Sequence, residues 1–88
     1  MNTIFGIYVR NRREELRSSD REYSVRKVAA RIGVEPSYLS KVERGEQPPP
    51  SEAKIIALAE VLDEDPDVLL AMAGNRQHNI ADIFFYFK

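Results

Sequence analysis

The chain of 88 residues contains no cysteine and no tryptophan, and only one histidine. Without cysteine there is no disulfide and no thiolate metal site, which is compatible with a reducing compartment. No apolar run approaches the roughly 20 residues needed to cross a bilayer, and the N-terminus has no signal-peptide pattern, so the cytoplasm is the expected location. The residue sets of enzymes are missing as well. There is no Ser/His/Asp arrangement, no glycine-rich phosphate loop, no pair of acids in an apolar setting and no cluster of metal-ligand types. His78 stands alone in a polar stretch. The expectation is a protein that is not an enzyme and needs no cofactor or metal.

A large excess of one charge is also absent, because the net charge is −1. That small sum conceals a division. Met1 to Gly45 carries ten Lys or Arg against six Asp or Glu, a net of +4. Glu46 to Lys88 carries three against eight, a net of −5. Affinity for a polyanion depends on the local face rather than on the total. A chain of this length makes one small domain, burying about 60–65% of its unfolded surface.

The basic half holds the stretch that organises the rest, Ser24 to Gly45, SVRKVAARIGVEPSYLSKVERG. Val28, Ala29 and Ile32 fall on one face of a helix from about Val25 to Ile32. Gly33, Val34 and Glu35 make a turn, with Gly33 suited to a positive φ and Val34 filling the space beneath. Pro36 opens a second helix running to Arg44, with Leu39 and Val42 facing inward and Gly45 ending it. Ser24 is a good N-cap for the first of the two. Ala29 is small, as a close crossing of two helices requires. This is the helix-turn-helix pattern, in which the second helix enters the DNA major groove.

The flanking segments complete a bundle. Thr3 to about Ser18 reads as a helix with Phe5, Val9, Arg13 and Leu16 on one stripe. Arg13 is the odd member and needs a buried partner, for which Glu43, next to inward-facing Val42, is the best candidate. Arg17 to Tyr23 reads as an exposed loop or an extended helix end, with Tyr23 at the edge of the core. The prolines at 48–50 hold the chain extended. Ser51 then caps a fourth helix to about Leu62, whose buried face is expected at Ala53, Ile56, Ala57, Ala59 and Leu62, with Ile55 and Leu58 beside it. Asp65 caps and Pro66 opens a short fifth helix with Val68, Leu69 and Met72 inward, ended by Gly74.

From roughly Phe5 to Gly74 the chain resembles the Cro/repressor family of bacterial and phage regulators, also called the xenobiotic-response-element family. The resemblance rests on Ala29, Gly33, Val34, Leu39, Val42, Glu43 and Gly45 at their offsets. It implies an all-α, lambda-repressor-like DNA-binding domain, a five-helix bundle over residues 1–74. It also implies that Arg13 bonds Glu43, tying the first helix to the end of the recognition helix. Positions matching Pro36, Ser37 and Lys41 touch base edges in such proteins. Ser37 can donate or accept, Lys41 can bond guanine, and Pro36 can offer apolar contact alone. Tyr38, Ser40 and Arg44 are better placed for the DNA backbone, as are the amides after Ser24 and at Val25. Arg26, Lys27 and Arg31 are further candidates for phosphate contact. Two positions depart from the pattern: Val25 stands where a glutamine is common, and Glu35 where a small capping residue is usual.

Residues 75–88 lie outside the five-helix unit. Ile80, Ile83, Phe84 and Phe87 share one helical face, so this aromatic tail is expected to add a helix that mediates self-association, the alternatives being a tail folded back on its own domain or a strand over IFFYFK. One recognition helix reads only a few base pairs, which favours a homodimer on a pseudo-palindromic site in double-stranded DNA, acting as a repressor on the nucleoid of a bacterium or phage. The alternative is an antitoxin-like or adaptor module that meets a protein partner, a toxin or a sensor, with DNA binding secondary or lost.

Overall fold

The computed structural model describes residues 3–74, which form five α-helices: α1 Thr3–Arg17, α2 Val25–Ile32, α3 Pro36–Glu43, α4 Glu52–Val61 and α5 Pro66–Met72. No strand occurs among the described residues, so this is an all-α bundle with the paired helices at α2 and α3. Ile80, Ile83, Phe84 and Phe87 lie outside the described residues. None of the described helices is long and apolar enough to cross a membrane.

The helix ends follow from their cap residues. The hydroxyls of Ser24 and Ser51 accept from the third amides of α2 and α4, and the Asp65 carboxylate accepts from the amide of Asp67. Each satisfies an amide that has no partner within its helix. At the far end of α2, Gly33 takes φ 78°, and the amides of Gly33 and Val34 fold back to the carbonyls of Ala30 and Ala29. A side chain at that φ would be strained, which is why glycine stands there. Gly45 ends α3 in the same conformation, one residue after Arg44, which caps the helix rather than continuing it.

The core is shared by all five helices. Phe5 and Val9 of α1 meet Val28, Ala29 and Ile32 of α2 and Leu39 and Val42 of α3. Ile55, Leu58, Ala59 and Leu62 come from the α4 segment, and Val68, Leu69, Leu70 and Met72 from α5. The face of α4 differs from the expected one: Ala53 is exposed, and Ile56 and Ala57 are half-buried. Six of its residues from Ala53 to Ala59 are apolar, so spacing alone does not select a stripe. Between α1 and α2, where a loop or helix extension was expected, the chain makes one 3-10 turn at Arg21–Tyr23, capped by the Asp20 carboxylate.

Three long-range contacts set the angles between helices. Gly6 is buried, and a Cβ there would lie 2.6 Å from the Glu43 carbonyl and closer still to that of Val42, so α1 and α3 meet backbone to backbone. Lys54 of α4 donates through Nζ to the Ile32 carbonyl at 2.8 Å, covering the end of α2. Arg12 donates through Nε to the Leu62 carbonyl at 3.0 Å and faces the Glu64 carboxylate, which also accepts from the Tyr8 hydroxyl. Burial and that hydrogen bond push the Tyr8 phenol well above its ordinary range.

Candidate nucleic-acid interface

The paired helices are held from the inside. Leu39 and Val42 of α3 are almost wholly buried, and so is Glu43. Its carboxylate accepts two bonds from Arg13, from Nε at 2.7 Å and from Nη2 at 3.0 Å. Arg13 Nη1 donates to the Tyr23 carbonyl at 3.1 Å. The two side chains are 7% and 5% exposed. A buried charge pair persists where its geometry is good and its remaining hydrogen-bonding groups are satisfied. Both conditions hold, and no buried side-chain nitrogen or oxygen among the described residues lacks a partner. The bond to Glu43 raises the pKa of Arg13 further, so the guanidinium stays charged in the interior.

With one face of α3 fixed, the other is presented outward. Ser37, Lys41 and Arg44 are exposed and fall four and three residues apart, one continuous stripe. The side chains of Ser37 and Lys41 have no hydrogen-bond or ion-pair partner among the described residues. Arg44 does: its Nε donates to Glu46 at 2.7 Å, and this contact holds the Glu46 carboxyl below its usual range. Exposed pairs of this kind are weak and exchange readily with another anion. Pro36, Tyr38 and Ser40 are half-buried, and Tyr38 packs against the core, so its ring serves the fold as well as the surface.

The start of α3 has no side-chain cap. Glu35 has the extended geometry of an N-cap, but its carboxylate accepts no bond from the helix. At the start of α2 the Ser24 hydroxyl is occupied by the Lys27 amide at 3.2 Å, and Val25 is half-buried against the core. What these two positions offer a phosphate is therefore backbone amide rather than side chain. Arg26, Lys27 and Arg31 are exposed on α2. Lys27 faces Glu22 at 3.4 Å, and the Arg31 guanidinium lies 5.8 Å from the centre of the Tyr23 ring.

The arrangement is a short amphipathic rod, clamped at its base and bearing an unpaired lysine. A family model described as a helix-turn-helix domain matches residues 4–72, more than half of the chain. The chain belongs to the helix-turn-helix domain family. That membership makes it a DNA-binding protein of the regulator class. Comparison with curated proteins and with solved structures finds no match for this helix-turn-helix domain. Two residues that brace the paired helices, Gly6 and Lys54, carry a weak sequence signal or none. Gly6 is marked as a glycine inside a helical stripe, a sign of close backbone approach. Lys54 carries no local mark, because its role depends on which helix stands opposite.

Proposed function

We propose that this helix-turn-helix domain is a sequence-specific transcriptional regulator of the Cro/repressor type, placing α3 in the major groove. The observation that carries the reading is the outward stripe Ser37–Lys41–Arg44 on a helix whose opposite face is locked by Arg13 and Glu43. Ser37 and Lys41 read base edges, with Pro36 offering apolar contact at the helix start. Arg44, Ser40 and Tyr38, with the amides at Ser24 and Val25, contact the sugar–phosphate backbone and set the register. α3 spans eight residues, about 12 Å at the usual helical rise, and so reaches only a few base pairs. Two copies on a two-fold symmetric operator supply the remaining specificity, with half-sites about one helical turn apart. Residues 1–74 form the DNA-binding unit, and Ile80, Ile83, Phe84 and Phe87 join the two copies. The protein acts in the cytoplasm of a bacterium or phage-infected cell and represses by occupying promoter DNA.

Selection of bound fragments from random duplex DNA tests this. The expected outcome is enrichment of a motif with two inverted half-sites. Recovery of unselected sequence would leave a non-specific binder, and recovery of nothing would remove DNA from the reading.

A second reading has one observation in its favour. Ile4 and Ile7 are 69% and 55% exposed on α1. Exposed apolar side chains in a cluster mark protein contacts more often than scattered ones do. An antitoxin-like or adaptor module would use them to meet a protein partner, a toxin or a sensor. Such a module would show DNA binding that is weak and unaltered by Lys41→Ala.

A further inference from the structure

α1 turns three residues toward the end of α3: Gly6, Arg10 and Arg13, four and three apart. Gly6 lies under the carbonyls of Val42 and Glu43, and Arg13 is buried on the Glu43 carboxylate. Arg10, between them, is exposed. It lines a cleft with Ser40 and Arg44 of the α3 segment and Val25 at the start of α2, and the Arg13–Glu43 pair and Glu14 complete the lining. Three guanidinium groups and two carboxylates therefore surround this cleft. Both carboxylates are engaged. Glu43 is held bidentately by Arg13, and Glu14 lies 3.5 Å from Arg13 and 3.4 Å from Arg17. Arg44 is matched by Glu46, outside the cleft. Arg10 has no ion-pair partner among the described residues. The cleft thus carries one uncompensated cation, beside a hydroxyl, at the point where the outward stripe of α3 ends.

The geometry points to Arg10 as a DNA-backbone contact, with one phosphodiester seated in this cleft between the Arg10 guanidinium and the edge formed by Ser40 and Arg44. This rests on the DNA-binding reading above and extends the interface from the paired helices onto α1. A phosphodiester carries one negative charge on two non-bridging oxygens, which suits one free guanidinium and a hydroxyl donor. The contact carries no base information. It fixes how far α3 sits along the groove. Arg44 reaches the same phosphate by exchanging Glu46 for it, so the free protein holds its second cation in reserve.

The test is fluorescence anisotropy with mixed-sequence duplex DNA about two helical turns long, at two salt concentrations. Wild type is compared with Arg10→Ala, Arg10→Lys and Arg21→Ala. Arg21 is exposed on the 3-10 turn and does not line the cleft, so its removal makes the same change in net charge outside it. Arg10→Ala is expected to weaken binding about 5–10-fold at low salt and to reduce the salt slope by about one ion, with melting temperature unchanged. Arg10→Lys is expected to recover most of the loss, and Arg21→Ala to behave as wild type. Equal effects of Arg10→Ala and Arg21→Ala would overturn the proposal while leaving the DNA-binding reading in place. Absence of duplex binding by wild type would overturn both. Inorganic phosphate at matched ionic strength separates the two sources of the anion. Saturable phosphate binding that Arg10→Ala abolishes, with duplex affinity unchanged, would assign the cleft to a free anion and overturn the backbone contact.

Discussion

The two faces of α3 obey different rules. On the inner face Leu39, Val42 and Glu43 are buried, and every polar atom of the Arg13–Glu43 pair is accounted for. On the outer face Ser37 and Lys41 are exposed and unpartnered, and Arg44 has one weak exposed partner. Eight residues thus hold a rigid interior and an uncommitted exterior within one turn of each other. Stability and recognition are therefore separable by mutation here, although the side chains concerned are neighbours in sequence. Glu43 and Arg44 are adjacent, yet one belongs wholly to the fold and the other to the surface.

The largest expected effect comes from breaking the inner face. Glu43→Ala leaves the Arg13 guanidinium buried without its counter-charge and should cost about 3–5 kcal/mol, a large part of the stability of a small domain. Urea denaturation measures this. Replacing Arg13 and Glu43 together by apolar residues of similar volume should recover most of the loss. If the double variant is no more stable than Glu43→Ala, the cost does not come from an unpaired charge. Next is Gly6→Ala, which places a methyl against two carbonyl oxygens of α3. Overpacking of this kind costs about 1–3 kcal/mol, more than helix propensity returns, and it tilts α1 away from α3. A more stable Gly6→Ala would mean that the two backbones separate easily.

Lys41→Ala sharpens the comparison from the outer side. Its melting should match wild type, while discrimination at one base pair falls by about 1–3 kcal/mol. A binding loss spread evenly over all positions would move Lys41 from base reading to the backbone. The smallest effect is expected far from α3. The Tyr8 phenol is raised by burial and by its bond to Glu64. A group raised in the folded state contributes stability that is complete below its unfolded value, near 10 for tyrosine, and is lost as pH rises through the higher folded value. Wild type should therefore lose stability on going above about pH 10, and Tyr8→Phe should lose less. Parallel alkaline curves for the two proteins would remove the Tyr8–Glu64 contact as the cause.

Much of this fold is written in local chemistry. The helix starts at Ser24, Pro36, Ser51 and Asp65 are cap or first-turn residues, and the sharp stops at Gly33 and Gly45 are positions of positive φ. Such signals act within a few residues, so the chain order reveals them. Arg13 and Glu43 are also visible, because a charge on an apolar stripe demands an opposite charge, and they meet at 2.7 Å. The buried face of α4 was obscured for the opposite reason: a segment apolar on nearly every side has no stripe to find. Lys54 and Arg12 bond carbonyls 22 and 50 positions away, Arg10 lines a cleft with Arg44, 34 positions on, and nothing local distinguishes the three from solvated charges. On the proposed interface the outward set read from the sequence includes Ser37, Lys41 and Arg44, which are exposed, and Pro36, Tyr38 and Ser40, which are half-buried, Tyr38 against the core.

The ammonium of Lys54 closes the end of α2 from the far side of the molecule. The bend between the two helices is therefore not self-contained. Its last carbonyl is answered by a residue of the acidic half. Neutralising that amine, for instance by chemical acetylation, would disturb the pitch of α3 against α2 without touching any group that meets a nucleotide. The acidic half of the chain thus also holds the end of α2 from which α3 turns away.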